Sequence, residues 1–302
     1  MPGSTGRPVV FGEVLFDCFE DGSKVLGGAA FNVAWHLAGF GAEPVFISRI
    51  GPDSLGERVV AAMSDWGMDL RGVQRDPAHP TGSVQVVLSD GQPEFRILPD
   101  QAYDYIDAAA TAGALRGVSP ALLYHGSLSA RNRISRKTLE GLRAAGMAAF
   151  VDINLRAPWW TREGVDALLQ GTRWLKLSDA ELAALTDPEA PAGADPAAAA
   201  QALRGRYGCE LVVVTQGEEG GLFVGVGGGG RIESVEVPAL VDSVGAGDAF
   251  SAVTLLGLLR GWALTPTFER AAAFAAHICG IRGATTRDRR VYAELLARWE
   301  GA

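Results

Sequence analysis

Sulfur, histidine, basic charge and unbroken apolar runs are all scarce in this chain, and each shortage excludes a class of protein. The three cysteines, Cys18, Cys209 and Cys279, are odd in number, far apart and without CxxC spacing. That excludes a disulfide framework and a zinc ribbon and fits a reducing cytoplasm. The histidines His36, His79, His125 and His277 fall at no metal-binding spacing and receive no catalytic role. Lys plus Arg number 27 against 35 Asp plus Glu, a net charge of −8, which argues against nucleic acid or an anionic membrane as partner. A phosphate-bearing ligand must then be held by local devices: backbone amides, a placed Arg and a metal ion. Residues 1–7 lack the apolar core of a signal peptide, and the apolar stretches stop at Asp248, Arg260, Arg270 and Arg282 before reaching membrane-spanning length. A cytoplasmic protein without a membrane anchor is expected.

What remains is the composition of a folded globular chain, 48% hydrophobic and 21% charged over 302 residues. That length suits a single α/β domain spanning 1–302. Short β-rich runs alternate with helical patterns. Residues 8–12 read as a strand and 31–40 as a helix. Residues 44–48 form the next strand, and Leu55, Val59, Met63 and Trp66 line one face of the helix behind it. Further strands fall at 122–124, 149–152, 174–176 and 211–214. Alternation of this kind predicts a mostly parallel sheet with helices on both faces.

Two segments break the alternation. Residues 14–20 and 24–26 flank Asp21-Gly22, and 84–88 and 95–98 flank Asp90-Gly91. Both read as β-hairpins, and pairing them yields a small sheet, a lid built from excursions at about 13–26 and 82–99. A third hairpin, 221–226 with 231–235, surrounds Gly227 to Gly230 and borders the opposite edge of the ligand site. That glycine run reads as a loose turn, because no Lys-Ser or Lys-Thr follows to make a phosphate loop. Residues 188–196 read as an exposed loop, with a helix from 197.

The chemistry concentrates in a few places. Asp242-Ser243-Val244-Gly245-Ala246-Gly247-Asp248 runs into a long apolar helix. Its glycines let backbone close around an anion, the helix aims free amides and its positive end at that anion, and Asp248 adds a carboxylate beside it. Such a carboxylate can take the proton of an alcohol attacking phosphorus. A helix start favours its charged form and makes it a weak base. Alone, the same motif is also a plain turn with a helix-stabilising acid. Gly27-Gly28 leads into a helix carrying Asn32, a residue that asks for a partner in a helix. Asp17 on the first hairpin lies near it if the hairpin folds over, and the pair suits neighbouring sugar hydroxyls; a turn cap and an exposed strand acid are the alternatives. Asp152, Asn154 and Arg156 alternate at a strand end, where α/β sheets bind ligands; they supply either a phosphate-binding Arg or a local salt bridge. Ser178 and Glu181 match a capping box, and Glu181 also suits a magnesium ion approached through water. Thr215, Gly217 and Gly220 close a strand with a hydroxyl and open backbone for a nucleotide. Arg96 on the second hairpin is a solvated strand residue or a receiver for a substrate carboxylate.

These motifs, in this order, resemble the PfkB, or ribokinase-like, carbohydrate kinases over nearly the whole chain, and most closely their bacterial fructokinases. The residues that carry the resemblance are Gly12-Glu13 with Asp17, Gly27 to Asn32, Gly51 to Gly56, Asp152 to Arg156, Thr215 to Gly217 and Asp242 to Asp248. It implies a ribokinase-like three-layer α/β sandwich with a mostly parallel central sheet and a small β-sheet lid. It further implies Asp248 as base, Gly245, Ala246 and Gly247 as anion hole, and Asp17, Gly28 and Asn32 as sugar contacts. Arg156 would meet the transferred phosphate, and Glu181 with Asp152 or Asn154 would organise Mg2+. ATP is the implied donor, with a monovalent cation as a further ligand of such enzymes. Two departures stand out: Ala30 where many relatives have Pro, and Ser178 where they have Asn. The expected activity is phosphorylation of a sugar's primary hydroxyl, with fructose preferred to ribose or 2-keto-3-deoxygluconate. A family member that binds sugar and nucleotide without turnover is the alternative of another class. A dehydrogenase is disfavoured, because residues 12–17 are not G-x-G-x-x-G. Free strand edges in the lid are suited to pairing between two copies.

Overall fold

Each strand of a buried sheet has two faces to cover, and alternate apolar side chains decide what covers them. The computed structural model describes residues 6–89, 92–186 and 195–301. The first half of the chain forms β1 (Arg7–Phe11), β2 (Leu15–Phe19), β3 (Lys24–Gly27), α1 (Ala29–Gly39), β4 (Val45–Ile50), α2 (Ser54–Asp65), β5 (Val73–Arg75), β6 (Gly82–Ser89), β7 (Gln92–Ile97), α3 (Ala108–Ala114), β8 (Pro120–His125) and α4 (Arg133–Ala144). There follow β9 (Ala149–Asp152), α5 (Arg162–Leu169), β10 (Trp174–Ser178), α6 (Asp179–Leu185), α7 (Pro196–Tyr207), β11 (Leu211–Thr215), β12 (Gly221–Gly225), β13 (Gly228–Ile232), α8 (Ala246–Arg260), α9 (Leu264–Cys279) and α10 (Arg289–Glu300).

The main sheet has nine strands in the order β13-β12-β11-β10-β9-β8-β1-β4-β5. All neighbours pair in parallel except β12 and β13 at one edge. Val10, Phe46, Tyr124, Phe150 and Val213 meet side chains of α1, α2, α8, α9 and α10 on one face. Val9, Phe11 and Leu123 meet α4 on the other, and Val151, Leu175 and Val212 meet α5, α6 and α7 there. Helix α8 is buried along nearly its whole length, including Ala249, Val253 and Leu256, and it packs on α1 and α9. A helix buried nearly all round has little solvent face to offer, so its position is fixed from most sides. The chain leaves β1 for β4 on one side and returns to β8 on the other, so β1 ends at the switch point where open α/β sheets bind ligands.

The two predicted hairpins form, and a parallel pairing of β2 with β6 joins them into one sheet, β3-β2-β6-β7. The Asp90-Gly91 turn and most of the predicted 188–196 loop lie outside the described residues. Strand β5 was not anticipated; three residues are too few to show alternation. The third hairpin also departs from expectation. Gly228, Gly229 and Gly230 are strand residues of β13 paired with β12, not a loose turn. A Cβ on Gly230 would lie 2.9 Å from the Phe223 ring, and one on Gly229 would lie 2.6 Å from the Phe223 carbonyl oxygen. The glycines there make room for Phe223, whose ring packs 4.8 Å from that of Phe268.

Candidate active site

The first turn of α8 begins at Gly245, with φ of +82° and no side chain capping the helix. Two constraints demand glycine there, the left-handed backbone and the approach of Ala284, whose Cβ would stand 2.3 Å from an added Cβ. Ala246 is half-buried and Gly247 is exposed. An open, uncapped N-terminus on a long buried helix has free amides that can receive an anion. One cation sits beneath it: Lys176 Nζ lies 3.5 Å from where a Gly247 Cβ would be.

Asp248 follows in the same turn, half-buried, and its Oδ2 accepts a hydrogen bond from Asn32 Nδ2 at 2.8 Å. The partner that Asn32 called for is therefore Asp248, from a helix 216 residues away in sequence. Burial pushes Asp248 up to about 7, with the charge of Asp152 adding to it and Asn32, Lys176 and Arg156 opposing. This corrects the expectation of a weak base held charged by the helix start. A helix end contributes about 0.3–1 kcal/mol, and desolvation by the surrounding α1, β9 and β10 outweighs it.

Across from Asp248 is a polar cradle. Gly28 caps α1 with φ of +106°, and a Cβ there would meet the Glu13 carbonyl oxygen at 2.9 Å. A Cβ on Gly27 would be 3.9 Å from both Asp17 Oδ2 and Asn32 Oδ1, so the carboxylate and the amide border one space. Asn32 Oδ1 is buried without a protein partner. Burial, with the charge of Asp242 nearby, pushes Asp17 up to about 6.

The predicted row Asp152, Asn154 and Arg156 does not share one side. Strand β9 ends at Asp152, and Asn154 turns the chain with φ of +45°. Asp152 points into the core, where its Oδ2 accepts from Lys176 Nζ at 2.9 Å and from Ser251 Oγ at 2.7 Å. A buried carboxylate needs a charge partner, and Lys176 on the adjoining strand supplies it in place of Arg156. Arg156 is exposed, with its Nη1 donating to the Leu155 carbonyl at 3.1 Å, and its charge reaches both Asp248 and Glu13.

Ser178 and Glu181 form the capping box. Glu181 accepts from Ser178 N at 2.7 Å, Ser178 Oγ at 3.0 Å and Leu155 N at 2.6 Å. Among the described residues no group of three or more His, Cys, Asp or Glu could hold a metal ion. With Asp152 paired to Lys176 and Glu181 occupied by three donors, these acids do not build a resident divalent site. They are compatible with a magnesium ion that arrives on phosphate oxygens and keeps its own waters.

Thr215 ends β11, and Gly217 starts a short turn with φ of +57°. Gly220 has a structural reason to be glycine: a Cβ there would be 2.1 Å from the Ile232 carbonyl oxygen of β13. Arg96 pairs across the small sheet with Gln85, which pairs with Cys18, whereas Asp17 pairs with Val84 and Val84 with Ile97. Registered neighbours share a face, so Arg96 lies on the face opposite Asp17 and away from the cradle, contrary to its assignment as a substrate contact. Lys176 reads in the sequence as an ordinary strand residue and Arg131 carries no signal of its own, while Tyr103 enters only as a neighbour of Arg96 beside a substrate carboxylate. A lysine inside an otherwise apolar strand, Trp174-Leu175-Lys176-Leu177, is the signal that pointed to a buried partner.

A family model described as pfkB family carbohydrate kinase matches residues 14–289, and the chain belongs to that family. A fructokinase of Klebsiella pneumoniae is 29% identical over 303 residues, 93% of this chain and 94% of the relative. The 2-dehydro-3-deoxygluconokinase of Bacillus subtilis is 28% identical over 274 residues, 84% of this chain and 80% of the relative. Among solved structures, a fructokinase with bound ATP from Xylella fastidiosa superposes with a TM-score of 0.83 at 23% identity, covering 98% of this chain and 99% of that one. The architecture is thus the ribokinase-like α/β fold. No helix among the described residues is long and apolar enough to cross a membrane.

Proposed function

We propose that the protein is an ATP-dependent fructokinase that moves the γ-phosphoryl group of ATP to the primary hydroxyl of fructose, giving fructose 6-phosphate and ADP. The observation that carries the reading is Asp248 itself, standing between an open helix N-terminus and the Asp17–Asn32 cradle. Gly245, Ala246 and Gly247 hold the transferring phosphoryl oxygens with backbone amides, and Lys176 supports them from below. Asp17, Gly28 and Asn32 orient the sugar. The hydroxyl proton passes to Asp248 as the new O–P bond forms and the bond to the β-phosphate oxygen breaks. A base near 7 is well matched to that proton transfer. Arg156 guides the phosphate at the mouth, Thr215 and Gly217 flank the nucleotide, and Glu181 would hold a Mg2+ ion through water, where the ion would neutralise phosphate charge.

The likeness to the 2-dehydro-3-deoxygluconokinase raises an acidic sugar as a second reading. Such a substrate needs a cation facing the cradle, whereas Arg96 lies on the outer face of the small sheet and the acids Asp17 and Asp242 crowd the inner side. A neutral ketose fits better. The small sheet acts as the lid over it. Phe19, Val25 and Phe95 are exposed on its Asp17 face, and a second copy meeting that face would cover them, making a homodimer measurable by light scattering. Fructose, ribose and 2-keto-3-deoxygluconate assayed by coupled ADP detection test the substrate. Fructose is expected to have the highest kcat/KM. A higher value for the acid would overturn the choice of sugar, and sugar binding without ADP release would leave a non-catalytic binding protein.

A further inference from the structure

Behind the cradle, four buried polar atoms have no protein partner: Glu13 Oε2, Tyr103 OH, Arg131 Nη1 and Ser129 Oγ. They belong to one neighbourhood. The Glu13 charge acts on both Arg131 and Tyr103, Arg131 lies over the Tyr103 ring at 5.3 Å, and Ser129 Oγ is 3.6 Å from where a Cβ on Gly12, next to Glu13, would stand. Buried polar groups of this kind are ordinarily satisfied by ordered water.

On one side this group meets the cradle. Glu13 is 3% exposed, and the amides of Ala29 and Ala30, at the start of α1, face its carboxylate. On the other side it meets the base of the small sheet. Arg131 Nη2 donates to the carbonyl of Leu98, just past β7, at 2.7 Å, while its fork holds Asp104 at 2.8 and 2.7 Å. Trp159 covers the guanidinium at 4.2 Å. The Tyr103 ring leaves only a glycine's room at Gly82, the first residue of β6, where a Cβ would be 2.8 Å from Cε1.

We infer that Glu13 is a positioning residue of the sugar subsite, joining the first turn of α1 through ordered water to the Arg131–Tyr103 brace beneath the small sheet. The inference rests on the sugar-kinase reading. Its consequence is that the lid and the cradle move as one: the strands that close over the sugar are tied at their base to the helix that carries Gly28 and Asn32. Removing the Glu13 carboxyl uncouples them and weakens sugar binding while the phosphoryl-transfer groups stay in place.

Glu13→Gln keeps the shape and replaces the carboxyl by an amide, and Tyr103→Phe removes only the hydroxyl. For Glu13→Gln the fructose KM, and the fructose Kd by calorimetry, are expected to rise about tenfold or more, with kcat within about threefold and ATP KM within about twofold of wild type. Fructose-induced protection of the β2 amides from hydrogen exchange is expected to fall with it. Because both groups act through one water-filled space, the double variant should bind fructose no more weakly than the worse single variant. A wild-type fructose KM in Glu13→Gln, even with a lowered melting temperature, would reduce Glu13 to a structural acid and overturn the inference. So would fully multiplicative losses in the double variant, or a fall in kcat with KM unchanged. Wild-type protein that neither turns over nor binds any sugar would overturn the kinase reading itself, a result distinct from all of these.

Discussion

The proton equilibrium of Asp248 makes the sharpest prediction. In the folded protein it is raised from the ordinary aspartate value of 3.8 to about 7, chiefly by burial. As the base, it works only when ionised, so kcat/KM for the sugar should fall about tenfold per pH unit below about 7. Asp17, raised to about 6, adds a second proton and steepens the fall below that value. Removing the Asn32 donor with Asn32→Ala raises Asp248 further, moving the acid limb toward alkaline pH.

Stability carries the opposite signature. Between pH 4 and 7 the folded form holds a proton that the unfolded chain has released, so stability falls as pH rises through that window. At about 1.4 kcal/mol per pH unit the ceiling is about 4 kcal/mol. The side chain borders an open cleft and is only half-buried, so about 1–2 kcal/mol is the expected share. Asp248→Asn should therefore melt higher than wild type at pH 8, lose that advantage by about pH 4, and retain about 1% of kcat or less. Steady-state kinetics from about pH 5.5 to 8.5 and thermal melts from about pH 4 to 8.5 measure the two signatures. A flat rate profile, or Asp248→Asn with more than about a tenth of wild-type kcat, would refute the reasoning.

Three further outcomes follow from the geometry. Gly245→Ala must adopt φ of +82° and displace Ala284, so a loss of about 1–3 kcal/mol in denaturant unfolding and a raised ATP KM are expected; wild-type stability would contradict the packing. Lys176→Met strands the buried Asp152 carboxylate, at an expected cost of about 3–5 kcal/mol, and adding Asp152→Leu should restore most of it; equal losses in the single and double variants would count against the pair. Arg156→Ala, at an exposed position, should change stability by about 0.5 kcal/mol or less while lowering kcat about tenfold or more, and unchanged turnover would remove Arg156 from the site.

Much of the fold and part of the candidate site's arrangement were legible in the sequence because their signals are local. Two Asp-Gly turns between β-rich runs announce hairpins whatever the rest of the chain does, and a glycine pair before a mostly apolar helix announces a buried helix with an open N-terminus. Even the pairing of Asn32 was foreshadowed, since an amide inside a helix needs a partner. Which partner it has was not foreshadowed, because 216 residues separate it from Asp248. The side of the small sheet on which Arg96 lies depends on the register of β6 against β2 and β7, and a one-residue slip would reverse it. The ionisation of Asp248 and the burial of Lys176 against Asp152 are set by what packs around them. Desolvation is a property of the assembled interior, and no stretch of chain carries it alone.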